Sequence, residues 1–128
     1  MNFDPVTFGQ RLRHYRRSRQ LTLDQLGALV GRPAPYLSLV ENGKKEPRLS
    51  QIAVMAKALG IGVDDLLAPD PPSRRAELEI ELDRFQRTFP DLGLPYLRPS
   101  VRLSDEALSH IVGLYHRLLE AKPPLVTA

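Results

Sequence analysis

Five arginines lie within nine residues near the start of the chain: Arg11, Arg13, Arg16, Arg17 and Arg19. A local cluster of guanidinium groups suits an anionic partner, and nucleic acid is the leading candidate. The positive excess is confined to the first half. Residues 1–68 carry ten Lys and Arg against six Asp and Glu, a net charge of +4, whereas residues 69–128 carry eight against nine, a net charge of −1. The alternative is a solvated helix face, and charge alone leaves both interpretations open.

Side chains that serve catalysis or metal binding lack the spacing that either would need. The three histidines, His14, His110 and His116, show no metal-ligand pattern, and cysteine is absent. The adjacent carboxylates Asp64 and Asp65 fit the first turn of a helix, where they stabilise the helix dipole. The sequence therefore predicts no enzyme, no metal site and no cofactor.

Length and composition limit the class of protein. A chain of 128 residues holds one domain of ordinary size or two small ones. Its 42% hydrophobic and 26% charged residues are typical of soluble globular proteins. No run of eighteen apolar residues occurs, and the first ten residues lack the pattern of a secretory signal. We expect a cytoplasmic, nucleoid-associated protein with no membrane partner.

Prolines divide the chain into two helical regions. Pro69, Pro71 and Pro72 predict a linker at 69–73 between a domain at 1–68 and a helical region at 74–128. No segment alternates strictly between apolar and polar residues, so the predicted fold class is all-α. Capping residues and apolar spacing predict helices over about 8–19, 23–30, 34–41, 49–59, 64–67, 73–89 and 105–120. The first of these is placed by the capping-box spacing of Thr7 and Gln10.

The helices at 23–30 and 34–41 are joined by a turn of three residues, Gly31-Arg32-Pro33, which is typical of a helix-turn-helix. Residues 8–67 resemble the Cro/C1-type helix-turn-helix domain of the XRE family of bacterial and phage regulators. The resemblance is carried by Phe8–Arg13, Arg16, Leu21–Leu26, Tyr36–Ser38, Val40–Lys45, Pro47, Ala53, Ala56–Gly60 and Val63–Leu67. It implies a compact five-helix domain that binds double-stranded DNA as a two-fold dimer, with helix 34–41 in the major groove.

The resemblance assigns base reading to four positions on the outward face of helix 34–41: Ala34, Pro35, Ser38 and Leu39. Family members often carry Gln, Arg or Asn there, whereas this chain offers mostly apolar groups. Apolar groups contact the thymine methyl, and a serine hydroxyl bonds either to a donor or to an acceptor. Direct readout is therefore predicted to involve few hydrogen bonds to base edges. Either DNA shape contributes heavily, or Arg32 and Tyr36 reach in from the edges.

The resemblance also assigns contacts with the DNA backbone, which set affinity and register rather than sequence preference. The candidates are Thr22 and Leu23 at the start of helix 23–30, Asn42, Lys44 and Lys45 after helix 34–41, and the neighbours Arg32, Tyr36 and Arg48. Free backbone N–H groups at a helix start suit phosphate. Leu23 replaces the glutamine common at that position. By the same resemblance, Arg16 and Glu41 form a partly buried structural ion pair.

The second region shows apolar stripes and no chemical motif. The candidate dimer or core residues are Leu78, Leu82, Phe85 and Phe89 on one predicted helix, and Leu108, Ile111, Val112 and Tyr115 on the next. We expect dimerisation, because a two-fold dimer places two groove-binding helices about 34 Å apart. A sensing region for a small-molecule effector or a protein partner is the alternative.

Together these features predict a sequence-specific transcriptional regulator, a repressor that acts as a homodimer. The alternative is an antitoxin or partner-binding regulator whose DNA binding serves autoregulation. The layout also resembles regulators linked to a metallopeptidase, including the N-terminal part of longer fused chains.

Overall fold

A computed structural model describes residues 3–68, 71, 73–91 and 102–121. Within these residues the secondary structure is entirely helical, which confirms the all-α prediction. The helices are α1 (Pro5–Ser18), α2 (Leu23–Val30), α3 (Ala34–Glu41), α4 (Leu49–Leu59), α5 (Val63–Leu67), α6 (Arg74–Thr88) and α7 (Asp105–Ala121). They fall into two compact units, Met1–Pro72 and Ser73–Ala128. Most of the linker predicted at 69–73 lies outside the described residues.

The start of α1 differs from the predicted one. Asp4, rather than Thr7, caps this helix, and its carboxylate accepts bonds from the backbone N–H of Val6 at 3.0 Å and the hydroxyl of Thr7 at 2.6 Å. The bond from Thr7 is the main reason that the pKa of the Asp4 carboxyl lies below its usual value. Pro5 suits the first helical position because it has no N–H to leave unsatisfied. The helix therefore begins one turn earlier than the capping-box spacing suggested.

The turn between α2 and α3 depends on two glycines. Gly31 ends α2 with φ 70°, the left-handed conformation that glycine adopts without strain. Gly27 lies inside α2, and a Cβ atom there would stand 2.4 Å from the carbonyl oxygen of Arg32 in the turn. Only a residue without a side chain fits that position, so the close packing of the turn follows from the sequence.

The first unit is built around one apolar core that α1 to α5 share. Its fully buried members include Leu12, Leu26, Leu37, Val40, Met55, Leu59 and Leu66. α1 approaches the end of α3 closely, because a Cβ atom on Gly9 would lie 2.4 Å from the carbonyl oxygen of Val40. One side of α3 is thereby held in the core, and the opposite side faces outward.

Arg16 and Glu41 join α1 to the end of α3. The guanidinium binds the carboxylate with two parallel bonds, Nε to Oε2 at 2.7 Å and Nη2 to Oε1 at 3.0 Å. Nη1 of Arg16 also donates to the carbonyl oxygen of Leu21 at 2.7 Å. Both charged residues are buried. The forked geometry satisfies the pair internally, which a buried charge requires.

Two further arginines of the cluster near the start of the chain donate to backbone carbonyls of the first unit. Arg11 is 2% exposed, and its Nη1 donates to the carbonyl oxygens of Asp65 at 3.3 Å and Ala68 at 2.7 Å. Arg19 donates from Nε to the carbonyl oxygen of Leu59 at 3.0 Å. These bonds satisfy carbonyls at the ends of α4 and α5, which lack intrahelical partners. Three of the five clustered arginines, Arg11, Arg16 and Arg19, therefore make bonds that hold the first unit together.

The second unit consists of α6 packed against α7. Six of the eight stripe residues are buried between these helices: Leu78, Leu82, Phe85, Leu108, Val112 and Tyr115. The rings of Phe85 and Tyr115 stack with centroids 5.2 Å apart. Ile111 is partly buried against this cluster, whereas Phe89 remains 37% exposed. The stripes meet each other within one chain, so little of them is left for a partner.

Candidate nucleic-acid interface

The outward face of α3 brings together the four residues predicted to read bases. Pro35 and Leu39 are exposed, and Ala34 and Ser38 are partly exposed beside them. Their spacing of one, four and five residues places them on one side of a helix. The other side carries Leu37, which the core buries completely. We refer to Ala34, Pro35, Ser38 and Leu39 as the outer face of α3.

Asn42 folds back onto the end of α3. Its Nδ2 donates to the carbonyl oxygen of Ser38 at 2.8 Å and lies 3.4 Å from the Ser38 hydroxyl. The amide therefore satisfies a carbonyl of the last turn, a common arrangement at helix ends. Asn42 is exposed, but these bonds direct its side chain toward the outer face and not away from the domain.

Tyr36 links α3 to the start of α4. Its hydroxyl donates to the amide oxygen of Gln51, which also accepts a bond from the backbone N–H of Arg48 at 3.1 Å. The ring is half-buried and packs against the core of the first unit. The hydroxyl proton of Tyr36, predicted as a phosphate contact, is thus engaged within the domain. Gln51 was missed by the sequence analysis, although it stands three residues after Arg48, at capping-box spacing.

Two cations lie against the ring of Tyr36. The guanidinium carbon of Arg32 is 5.2 Å from the ring centroid, and Nζ of Lys45 is 5.5 Å from it. Both distances are within the range of cation–π attraction. Arg32 precedes α3 and Lys45 follows it, so one ring contacts a cation from each end of the helix. We call Arg32, Lys45 and Arg48 the basic edge; the backbone N–H of Arg48 shares the Gln51 amide oxygen with the Tyr36 hydroxyl, and Arg48 itself is exposed.

Lys44 adds an exposed positive charge in the loop after α3. This loop begins with Gly43 at φ 71°, where a Cβ atom would stand 2.9 Å from a methyl carbon of Val6. The backbone of the loop is therefore constrained against α1, although the lysine side chain is exposed. Lys44 and the basic edge together account for all four cations that the sequence analysis proposed as phosphate contacts.

The start of α2 offers backbone rather than side-chain groups. The Thr22 hydroxyl accepts a bond from the N–H of Gln25 at 3.1 Å, and the Gln25 amide oxygen accepts one from the N–H of Thr22 at 2.8 Å. This reciprocal capping box confirms the predicted start of the helix. Leu23 is half-buried against the core, so the polar group it presents at the helix start is its backbone N–H. Asp24 adds a carboxylate to the same turn.

Neither a metal site nor a membrane-spanning helix is found among the described residues. No three His, Cys, Asp or Glu side chains there converge on a position that would suit a metal ion. None of the described helices is both long enough and apolar enough to cross a membrane.

Comparison with known proteins identifies similar sequences over the first unit and beyond it. The family model described as "Helix-turn-helix domain" matches residues 7–68. The HTH-type transcriptional regulator RghRB of Bacillus subtilis is 39% identical over 62 residues, 48% of this chain and 45% of that protein. The HTH-type transcriptional regulator YobD of the same organism is 30% identical over 79 residues, 59% of this chain and 70% of YobD.

One similar protein matches both units. The immunity repressor protein of Bacillus phage phi105 is 28% identical over 135 residues, which cover 93% of this chain and 94% of the repressor. The match to RghRB, in contrast, spans less than half of that regulator. The similarity is thus shared widely over the first unit, and it extends through the second unit in the phage protein.

Proposed function

The chain belongs to the helix-turn-helix family of transcriptional regulators, and on that premise we propose that it is a sequence-specific repressor acting as a homodimer. Membership confirms the XRE-type resemblance predicted over residues 8–67 and makes the chain a DNA-binding regulator. The observation that carries the finer proposal is the position of α3. Its outer face is exposed, and the Tyr36 ring of the same helix holds one cation from before α3 and one from after it.

We place α3 in the major groove of double-stranded DNA. The groove is about 12 Å wide and admits one helix, so only the exposed side of α3 meets base edges. The outer face, Ala34, Pro35, Ser38 and Leu39, supplies that side. Leu37 and the buried Arg16–Glu41 pair keep the helix fixed to the domain while it is inserted.

We assign the phosphate contacts to the basic edge, to Lys44 and to the start of α2. Arg32 and Lys45 are held against the Tyr36 ring before DNA is bound. Binding therefore loses less side-chain entropy than it would if both side chains had to be ordered first. The backbone N–H of Leu23 adds a contact of the kind that helix starts make with phosphate, whereas the N–H of Thr22 is bonded to Gln25. Such contacts set the register of α3 on the duplex but carry no sequence information directly.

We assign the homodimer contact to the second unit. The packing of α6 on α7 buries most of the two apolar stripes. Phe89 of the first stripe and Leu118, another apolar residue of α7, remain 37% and 39% exposed. These residues, and not Leu78, Leu82 or Phe85, are the apolar groups that a second copy can reach without opening the unit. The match to the phage immunity repressor through both units supports a regulator that uses this second unit.

The test is selection of bound duplexes from a random-sequence pool by the purified full chain, followed by hydroxyl-radical footprinting. A two-fold dimer should enrich a sequence with two symmetric half-sites centred about 10–10.5 base pairs apart, or a multiple of that spacing. Two chains should bind each duplex. Enrichment of no sequence would contradict the proposal and favour a regulator whose main partner is another protein.

A further inference from the structure

We propose that the outer face of α3 reads the 5-methyl groups of thymine, so that the preferred DNA carries thymines where this face meets the major groove. This inference rests on the proposed function, because it names what the groove-facing residues recognise. It goes further in predicting the base composition of the half-site and the chemical group by which that base is recognised.

The apolar groups of the outer face are accessible and held in place. Leu39 is 46% exposed, although it stands between the fully buried Leu37 and Val40 in the sequence. Pro35 is exposed one turn earlier on the same side, with Ala34 beside it. Because α3 is fixed by its core side, these carbons form a rigid apolar ridge rather than a set of mobile chains.

The hydrogen-bonding capacity of the outer face is small. Among its four side chains, only Ser38 carries a polar group, and the Asn42 amide lies 3.4 Å from that hydroxyl. Bidentate recognition of guanine or adenine needs a guanidinium or an amide directed at the base. The neighbouring Asn42 amide is instead bonded to the Ser38 carbonyl. The face therefore lacks the groups that read purines.

The thymine methyl is the apolar group that the major groove offers to such a face. An apolar protein partner would also cover Leu39 and Pro35, but the surrounding charge argues for DNA. Arg32 and Lys45 lie against the Tyr36 ring of α3, and Lys44 and Arg48 are exposed after this helix. Charge at the rim and apolar groups on the ridge match a groove that is anionic at its walls and carries methyl groups on its floor.

The experiment replaces thymine with deoxyuridine, one position at a time, in the duplex selected from the random pool. Uracil pairs as thymine does and lacks only the 5-methyl group. Affinity of the full chain should fall about fourfold for each contacted methyl, which is the effect of removing one buried carbon from apolar contact. Deoxyuridine outside the footprint should change nothing.

A pair of leucine variants tests whether Leu39 makes this contact. Leu39→Ser should abolish the deoxyuridine effect at one position in each half-site. Leu29→Ser is the matched control, because Leu29 is 57% exposed in α2, a helix of equal length, and should keep the full effect. Both variants should retain the thermal unfolding midpoint of the wild type within a few degrees, since each side chain is largely exposed.

Failure of this inference is distinguishable from failure of the proposed function. A selected duplex that is bound specifically but is insensitive to deoxyuridine at every position overturns the inference and indicates shape readout. Full sensitivity in Leu39→Ser overturns the assignment to this face. A pool from which nothing is enriched overturns the proposed function, and this inference with it.

Discussion

The hydroxyl of Tyr36 in α3 donates a hydrogen bond to the amide oxygen of Gln51 in α4. Arg32 and Lys45 lie against the ring of the same tyrosine from opposite ends of α3. The two cations are 13 positions apart in the sequence, yet one aromatic side chain brings them to the same edge. Preorganised charge of this kind raises affinity by lowering the ordering cost of binding.

Removal of the Tyr36 ring should weaken the phosphate contacts of Arg32 and Lys45 and leave the contacts with base edges unchanged. In Tyr36→Leu, affinity should fall by a similar factor on specific and random duplexes. In Tyr36→Phe the ring stays, so affinity should change little, while the free energy of unfolding drops by about 1 kcal/mol from the lost bond to Gln51. Fluorescence anisotropy titrations and urea unfolding measure the two effects.

A double-mutant cycle separates this positioning role from a general loss of structure. If Tyr36 acts through Arg32 and Lys45, Tyr36→Leu should cost almost nothing in a chain that already carries Arg32→Ala and Lys45→Ala. An equal loss in both backgrounds would show that Tyr36 affects binding by another route.

Breaking the Arg16–Glu41 pair should destabilise the first unit strongly. Arg16→Met leaves the buried Glu41 carboxylate without its forked partner, and such a loss costs about 3–5 kcal/mol. Replacing both residues, as Arg16→Met with Glu41→Leu, should recover most of that loss because no charge then remains uncompensated. Arg74→Ala is the control, since the Arg74 side chain is 64% exposed. Urea unfolding measures all three, and a double variant no more stable than Arg16→Met would contradict this explanation.

The turn between α2 and α3 should respond differently to alanine at Gly31, which ends α2, and at Gly27, which lies inside α2 and packs against the turn. Gly31→Ala meets no atom within 4 Å, so it should cost only the left-handed backbone strain of about 1–2 kcal/mol. Gly27→Ala places a carbon 2.4 Å from a backbone oxygen, which must move and take the start of α3 with it. The second variant should therefore lose more stability and most of its DNA specificity. Equal losses in thermal unfolding and binding would argue against a constrained turn.

Alkaline stability should depend on Tyr15. Burial raises the pKa of this phenol above 10, and the charge of Asp65 raises it further. The folded state then holds the proton more tightly than the unfolded chain, so this stabilisation is complete below pH 10 and is lost as pH rises through the folded-state pKa. The free energy of unfolding of Tyr15→Phe should fall less steeply above pH 10 than that of the wild type. Parallel curves would contradict this assignment.

Much of the first unit could be predicted because its helices are encoded locally. Thr22 and Gln25 mark the start of α2, and Gly31 marks its end, each by chemistry within a few residues. The start of α1 was wrong by one turn because Asp4 and Pro5 made a stronger cap than the Thr7 spacing. When two capping signals lie a few residues apart, the sequence alone does not show which of them begins the helix.

Longer-range side-chain partners could not be predicted from residue type and spacing. The arginine cluster suggested an anionic partner, but the guanidinium of Arg11 reaches carbonyls 54 and 57 residues away. The bond between Tyr36 and Gln51 likewise depends on how α3 and α4 pack. Apolar stripes indicated a covered face in the second unit, yet they did not reveal that α6 and α7 cover each other and leave Phe89 outside.

The loop lysines should contribute to affinity and leave sequence preference unchanged. Lys44→Ala with Lys45→Ala should weaken binding to every duplex and reduce the slope of log affinity against log salt by about one unit per lost contact. Lys57→Ala is the control, because Lys57 is exposed in the last turn of α4, at the far end of that helix from Arg48. A change in preferred sequence in the double variant would contradict the assignment of these lysines to phosphate.

The most direct test of the account is a titration of the full chain with the selected duplex and a scrambled duplex at two salt concentrations. If α3 reads the sequence while other groups contact phosphates, the chain should prefer the selected duplex by at least a thousandfold. The slope of log affinity against log salt should be near −0.9 per phosphate contact on both duplexes. Equal affinities with the same steep salt dependence would show that the charges bind DNA while α3 reads nothing, which would contradict the central claim.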